Sequence, residues 1–230
     1  MKPRSIVAVI LGTLLLVVLA YQLWLLAHVW WWVDHNPENS AFMEQRLEVL
    51  QEKNPDAELR HRWVAYNQIS PHLKRALIAS EDAKFLDHEG FDWEGIQTAW
   101  EKNLKKGKVV AGGSTISQQL AKNLFLSGKR TPWRKREEAV ITVMMEQMMS
   151  KRRIFEIYLN VIEWGNGVFG AEAASRHYYR KSARNLSPAE AAKMAAMVPN
   201  PRFYDTHRQD RRLLRKARII QRRMYYAEYP

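Results

Sequence analysis

The sequence predicts a mainly α-helical domain carried behind a single N-terminal transmembrane helix. Three observations lead there. Residues 5–33 hold no Asp, Glu, Lys or Arg, and Ile6 to Trp32 is a run of 27 mostly apolar residues. Helix-start signals recur along the rest of the chain, where apolar positions repeat at helical spacing, and no stretch alternates as a half-buried strand requires. In 230 residues, 36 Lys and Arg against 24 Asp and Glu give a formal charge of +12. A chain 47% hydrophobic and 26% charged has enough apolar surface to fold, which excludes a disordered protein. Its length suits one ordinary domain, or one domain plus an accessory segment. With no Cys, a disulfide framework, a Cys-ligated zinc or iron–sulfur site and a thiol nucleophile are all excluded.

As a helix the apolar run would extend about 40 Å, against a hydrocarbon core of roughly 30 Å, so it spans with some tilt. It lacks the short apolar region and small-residue cleavage site of a signal peptide and reads as an uncleaved anchor over residues 6–32. Lys2 and Arg4 before it, in a tail of residues 1–5, and Asp34 after it keep the N-terminus cytoplasmic and put the domain across the membrane. Trp30, Trp31 and Trp32 then form an interfacial belt. Asn36-Pro37 ends the run, and residues 33–68 are predicted to form a stalk or linker with a short helix whose Phe42, Leu47 and Leu50 share a face.

Ser70-Pro71 is an N-cap followed by Pro at the first helical position, and Leu73, Ala76 and Leu77 carry that helix to about Asp82. Glu81 therefore falls at a helix C-terminus. Glu137 to Met149 bears Val140, Ile141, Val143, Met144, Met145 and Met148 on nearly every side, which predicts a buried central helix. Ile154, Ile157, Tyr158 and Val161 mark another apolar face. Ser187-Pro188-Ala189-Glu190 is a capping box whose helix must stop before Pro199. Residues 202–230 are a basic C-terminal segment, and no internal repeat is present.

No G-x-x-x-x-G-K-[ST], H-E-x-x-H or S-x-x-K occurs, so a P-loop, a zincin and a penicillin-type acyl-serine site are excluded. The seven His are scattered singly, and His88 alone is held as a candidate. Three segments have chemical potential. Residues 81–94 gather six acids around one Lys; mutual repulsion and the helix C-terminus both favour a carboxylate poised to accept a proton, although a solvated acidic helix end would look the same. Gly112 to Asn123 sets a dense row of neutral hydrogen-bonding side chains after two glycines, which suits sugar hydroxyls and amides or a capped helix start with a polar face. Residues 101–136 contain ten Lys or Arg and one acid, Glu101. A base, sugar-binding groups and several cations together match a glycosyl transfer that expels a phosphate. Glycoside hydrolysis instead needs two carboxylates and no cations. Part of the run, from Lys102 to Lys108, also reads as a solvated face.

These residues resemble the peptidoglycan glycosyltransferases, the module shared by bifunctional penicillin-binding proteins and monofunctional biosynthetic transglycosylases. The first motif is matched by Glu81-Asp82 with Phe85, His88, Gly90 and Asp92, and the second by Gly112, Gly113, Ser114, Thr115, Gln118, Gln119, Lys122 and Asn123. Arg134-Lys135 with Glu138 form the third. Ser150-Lys151, Ile154, Glu156, Tyr158, Leu159 and Asn160 form the fourth, continuing into Gly165 to Ala173. Leu186 to Pro201 resembles the weaker fifth. The resemblance covers roughly residues 69–201. The absence of S-x-x-K points to the monofunctional type.

The resemblance implies an α-helical, lysozyme-like large lobe and a small membrane-facing jaw at about residues 93–131, with Ile96, Trp100, Leu104, Val109 and Val110 as apolar contacts. It implies joining of lipid-linked disaccharide-pentapeptide (lipid II) units into β-1,4 glycan with inversion and release of a polyprenyl diphosphate. Glu81 would deprotonate the acceptor 4-hydroxyl, and Lys122, Arg130, Arg134 and Lys135 would neutralise the diphosphate. By the same resemblance Glu138 would be the family's second essential carboxylate, either positioning basic residues or serving a weakly bound divalent cation, Mg or Mn, at the diphosphate; no organic cofactor is implied. Asp82, Phe85, His88, Lys151, Tyr158 and Asn160 join the substrate-binding set. Position 153 is Arg where some members carry an acid, so no role of that acid transfers.

The growing lipid-linked glycan, the membrane surface and other cell-wall synthesis proteins are the expected partners. The expected location is the bacterial inner membrane, with the catalytic domain on its outer face. A membrane-anchored muramidase is the alternative enzyme, opposed by the cationic segment. Nucleic-acid binding would use the basic stretch Arg208 to Arg223, but an exported domain does not meet that partner. A membrane scaffold is the remaining alternative.

Overall fold

The computed structural model describes residues 3–108, 112–129 and 131–230, with side chains described from Ile6 onward. The chain divides into two compact units, Met1–Asn36 and Pro37–Pro230. The first contains α1 (Pro3–Asp34), whose segment Ile6–Asp34 is long and apolar enough to cross a membrane. At 1.5 Å per residue those 29 residues extend about 44 Å. Its side chains from Ile6 to Leu19 are exposed and uncharged all round, the pattern of a helix whose solvent is lipid. It is a candidate single-pass membrane anchor.

The second unit is helical, and 68% of the described residues are in helix, as the periodicity predicts. It runs α2 (Ala41–Gln51), β1 (Arg60–His61), α3 (Pro71–Glu81), α4 (Trp93–Lys106), α5 (Ile116–Phe125), α6 (Pro132–Met148) and α7 (Lys151–Val161). Then come β2 (Glu163–Gly165), β3 (Val168–Phe169), α8 (Ala171–Tyr179), α9 (Pro188–Met197), α10 (Pro201–Thr206) and α11 (Arg211–Arg223). Capping explains most of the starts. Ser40, Ser70, Thr115, Thr131, Ser150 and Ser187 each accept a hydrogen bond from the first turn of the helix they precede, satisfying donors that have no partner inside it. Ser187 and Glu190 close the expected capping box. The helix they start ends at Met197, ahead of Pro199.

α9 lies across α3 and α11, and its Ala191, Ala192, Ala195 and Ala196 are buried; small side chains let the three helices approach closely. α5 packs on both α6 and α7, and α2 packs on α5. Phe85, Phe155, Tyr158, Trp164 and Phe169 supply much of the buried bulk, with Leu73, Leu77 and Ile78 from α3. A three-stranded sheet in the order β1-β3-β2 closes one side, β1 parallel and β2 antiparallel to β3, with a register irregularity between Glu163 and Gly165.

α6 departs from expectation. It is not buried all round: Glu138, Ile141, Thr142 and Met145 face inward, whereas Val140 and Val143 remain 43% and 48% exposed. Only one face of the helix meets α5, so its other apolar residues lie on the surface. α4 is more exposed still. Ala99 is its one buried residue, and Trp93, Trp100 and Leu104 point to solvent together with Trp133 at the start of α6. Ile96 is half-buried; Val109 and Val110 lie outside the described residues.

Candidate active site

The polar row after Gly112-Gly113 divides its labour. Thr115 and Gln118 form a capping box at the start of α5, the Thr115 hydroxyl accepting from Gln118 N–H and the Gln118 Oε1 from Thr115 N–H. The same hydroxyl donates to Gly90 O at 2.7 Å, which ties α5 to the loop after α3. Gly90 has φ +88° and a Cβ there would meet Thr142 at 2.7 Å, and a Cβ on Gly113 would meet the Ile96 backbone at 2.9 Å. Both positions need glycine, the first for conformation and the second for close approach. Gly112 is exposed with open space around it. Thr115 and Gln118 thus realise the helix-start reading, and Ser114, Gln119, Lys122 and Asn123 line a cleft.

Glu81 ends α3, and its nearly buried carboxylate meets three groups. Ser80 Oγ donates to Oε1 at 3.2 Å, Gln119 Nε2 donates to Oε2 at 3.2 Å, and Lys216 Nζ of α11 stands 3.8 Å from Oε1. The Gln119 amide is itself oriented, because Tyr158 Oη donates to its Oε1 at 3.0 Å. That contact leaves the amide N–H₂ for Glu81. Tyr158 is wholly buried, and burial, with the nearby Glu81 and Asp82 charges, raises its phenol well above the usual value, so it remains a donor. Asn123 Nδ2 donates to Gln119 O at 2.7 Å.

The acidic segment does not gather around Glu81. Asp82 turns inward, where His88 Nε2 reaches its two oxygens at 3.0 and 3.2 Å and Ile116 N–H donates to Oδ2 at 2.9 Å. It places an anion at the N-terminus of α5, where the helix dipole favours one. His88 Nδ1 accepts from Gly90 N–H at 3.1 Å, which puts the ring proton on Nε2. Asp92 caps α4, Glu94 pairs with Lys84, and Asp87 and Glu89 are exposed. The density of like charge in sequence is dispersed by the turn that follows α3.

Beside this group lies a cleft of about 850 Å³. Ser114, Gln118, Gln119, Lys122 and Asn123 form one wall, Thr131, Pro132, Arg134, Lys135 and Glu138 a second, and Ile162, Glu163 and Val198 to Arg202 the far side, with Phe42 of α2 at the edge. Glu81 reaches the cleft through Gln119 and does not line it. Lys122 Nζ is 5.4 Å from the Phe42 ring centroid. Glu138 is buried between two cations: Arg134 NH1 donates to Oε2 at 2.5 Å and Lys135 Nζ to Oε1, and Lys135 also reaches Ser114 Oγ at 3.5 Å.

A second buried carboxylate on the far wall went unnoticed in the sequence. Glu163 lies 3.0 Å from Arg202 Nε and 3.7 Å from Arg46 Nε. Burial raises its carboxyl, and the two guanidiniums only partly offset this. Its only sequence signal is an acid within an apolar stretch, Val161-Ile162-Glu163-Trp164.

Three expected residues lie elsewhere. Lys151 Nζ binds Glu146 Oε1 at 2.9 Å and His88 O at 2.5 Å, above the Phe85 ring. Phe85 is fully buried against Phe155. Asn160 bridges Val64 N and O at 3.0 and 3.1 Å and Glu156 O at 2.9 Å, which holds the chain before α3 in place. All three build the wall behind the site. Arg130 lies outside the described residues. Among the described residues no three His, Asp or Glu gather to hold a metal ion, and both Glu138 oxygens are occupied by cations.

A carboxylate at a helix end beside a cleft lined with amides and cations is the arrangement that the motifs imply. The transglycosylase family model matches residues 46–225. A biosynthetic peptidoglycan transglycosylase of Methylobacillus flagellatus is 72% identical over 216 residues, 94% of each chain. One from Laribacter hongkongensis is 70% identical, covering 95% of this chain and 96% of its own. A third, from Chromobacterium violaceum, is 68% identical over 96% of this chain and 97% of its own. The chain belongs to the transglycosylase family.

Proposed function

We propose that the domain polymerises lipid II into β-1,4 glycan, with Glu81 as the general base and the cations of the cleft as the diphosphate site. The chain is a peptidoglycan glycosyltransferase of cell-wall synthesis; the muramidase alternative is not favoured. The observation that carries the residue assignment is the juxtaposition of Glu81, held by Gln119, with a cleft bearing Lys122, Arg134, Lys135 and Arg202. A base takes the proton of the acceptor hydroxyl as that oxygen attacks the donor sugar carbon. The bond from that carbon to the diphosphate oxygen breaks, and negative charge develops on the leaving group. Preorganised cations stabilise that charge most in the transition state, where it contributes to turnover.

Glu138, in this reading, positions Arg134 and Lys135 and does not serve as a second acid. The carboxylates of the cleft do not fit a protein-held divalent cation, because Glu138 and Glu163 are each already bracketed by two basic side chains. No step is assigned to one. Asp82 and His88 hold the base's loop on α5; Lys151 and Asn160 act from the wall behind it.

The exposed Trp93, Trp100, Leu104 and Trp133 support contact of the domain with the membrane that carries the substrate. Exposed Lys102, Lys105, Lys106 and Lys108 near three of them suit anionic headgroups. With Lys2 and Arg4 preceding the anchor, the positive-inside rule puts the N-terminus in the cytoplasm and the domain on the outer face of the inner membrane. The test is incubation of purified full-length protein with lipid II in detergent. Glycan chains should form and lipid II should be consumed; cleavage of finished glycan without consumption of lipid II would contradict the proposal.

A further inference from the structure

Away from the catalytic cleft, and sharing no lining residue with it, lies a second cavity of about 780 Å³. Lys74 and Arg75 of α3 and Arg152 of α7 enter it from one side, and Tyr225, Tyr226 and Tyr229 from the segment after α11 enter from the other. Lys74 is unusual for a lysine. It is only 5% exposed, and its described partners are neutral: Tyr66 O at 3.3 Å, and the rings of Tyr66 and Tyr229 at 4.0 and 4.8 Å. Burial and the neighbouring Arg152 both depress its ammonium. Arg75 Nε is buried without a hydrogen-bond partner, and the Arg152 guanidinium lies 4.6 Å from the Tyr66 ring.

None of the three cations makes a salt bridge among the described residues. Glu228 is the one acid among the described lining residues. A buried cation costs free energy unless paired; Lys74 is buried, with Arg75 half-buried and Arg152 exposed beside it, so the pocket favours an anion. Tyrosine is the other half of the chemistry. Tyr225 and Tyr226 are exposed, the latter by 90%, and offer flat faces with a hydroxyl edge that suit a pyranose ring.

We propose that this cavity is a non-catalytic binding site for a carboxylate-bearing amino-sugar polymer, with Lys74, Arg75 and Arg152 on the carboxylates and the tyrosines against the sugar rings. The inference rests on the polymerase reading, because such a polymer is the product of that reaction. It adds a hold on glycan outside the cleft that makes it. An anionic lipid headgroup suits the site less well. Leu86 and Pro230 are the two aliphatic side chains at its rim larger than Ala, and the exposed tryptophans belong to α4 and α6.

The test uses the full chain in neutral detergent and soluble, lipid-free glycan tetrasaccharides that keep their stem peptides, whose carboxylates are the charged groups of the product. These lack a diphosphate and cannot be polymerised. Titration should show binding that weakens at least tenfold in Lys74→Met and in Arg152→Ala, and severalfold in Tyr226→Ala. Arg152 and Tyr226 are surface residues, so their variants keep the test sound if Lys74→Met fails to fold. Arg134→Ala in the cleft should leave this binding unchanged. Neutral chitotetraose should bind at least tenfold more weakly than the acidic glycan.

The proposal is overturned if the acidic glycan does not bind, if Arg134→Ala alone abolishes binding, or if chitotetraose binds equally well. It is also overturned if phosphatidylglycerol vesicles, and not the glycan, depend on Lys74 and Arg152. Lipid II consumption measured on the same preparations separates the two readings. Intact polymerisation without glycan binding removes this site alone, whereas absent polymerisation removes the reading beneath it.

Discussion

Replacing Glu138 by Gln keeps the shape of a buried side chain and deletes its charge. The carboxylate accepts from Arg134 on one oxygen and Lys135 on the other. An amide can accept from only one of them and turns N–H toward the second. Lys135, its side chain 48% exposed, can swing into water at little cost, whereas Arg134 at 15% cannot. The amide acceptor should therefore face Arg134, and the loss reduces to one ion-paired hydrogen bond becoming one from a cation to a neutral acceptor, about 2 kcal/mol. The Lys135 pair, half in solvent, adds well under about 1 kcal/mol.

For a unit of this size each kcal/mol moves the melting temperature by roughly 2–4 °C, so Glu138→Gln should melt about 4–8 °C lower in a thermal scan in detergent. Turnover on lipid II should fall about tenfold or more as Arg134 loses its orientation. Combined with Arg134→Gln, the double variant should be little worse than the more damaged single one, since both changes break the same pair. Melting within 1 °C of the parent with turnover within twofold would refute the positioning role of Glu138. Strictly additive losses would refute the coupling.

Tyr158→Phe removes the donor that orients the Gln119 amide, and should lower kcat about threefold to tenfold while costing about 1 kcal/mol of stability; unchanged turnover would show that Gln119 needs no orienting. Lys122→Ala and Arg134→Ala should depress kcat more than KM in detergent, while Lys105→Ala and Lys106→Ala should weaken binding to anionic vesicles and leave detergent turnover nearly unchanged; equal losses from both groups would erase the division between diphosphate site and surface. Acid should destabilise the domain. Burial alone would raise the Glu172, Glu190 and Asp205 carboxyls, yet hydrogen bonds from Ala183 N–H and Arg176, from Lys181 and Ser187, and from His177 and Asn166 N–H hold them below the usual carboxylate range. Their folded forms bind protons less readily than the unfolded chain, so their stabilisation is present above about pH 4.5 and is lost as pH falls through the folded values. Glu163, with its carboxyl raised, works in the opposite direction. The melting temperature should therefore fall below about pH 4, and a rise on acidification would contradict the balance.

Helix starts were legible because capping is local: Ser70-Pro71 and the Ser187 to Glu190 box each state their role within four residues. Glu81 and the Glu138 group were legible through motifs, whose residues the fold brings to one cleft from α5 and α6, with Glu81 of α3 behind Gln119. Composition alone misread α6, since an apolar stretch looks the same whether its partner is protein on every side or on one. Residue type also could not separate the cleft from its supports, and Lys151 and Asn160 belong to the supports. Lys216, Arg46 and Arg202 were missed because their partners, Glu81 and Glu163, are more than 30 residues away in sequence and carry no shared local pattern. The acidic segment misled for the converse reason. Its charges are neighbours in sequence, yet the turn after α3 sends Asp82 inward and most of the rest outward.

The most direct test is Glu81→Gln in the full-length protein, assayed by consumption of lipid II alongside a thermal scan. The fold should survive, because Glu81 sits at the end of α3 and an amide can keep contacts to Ser80 and Gln119. Polymerisation should fall at least about 100-fold, the usual cost of removing a general base. Turnover within a few-fold of the parent in a folded Glu81→Gln protein would contradict the assignment of Glu81 as the base.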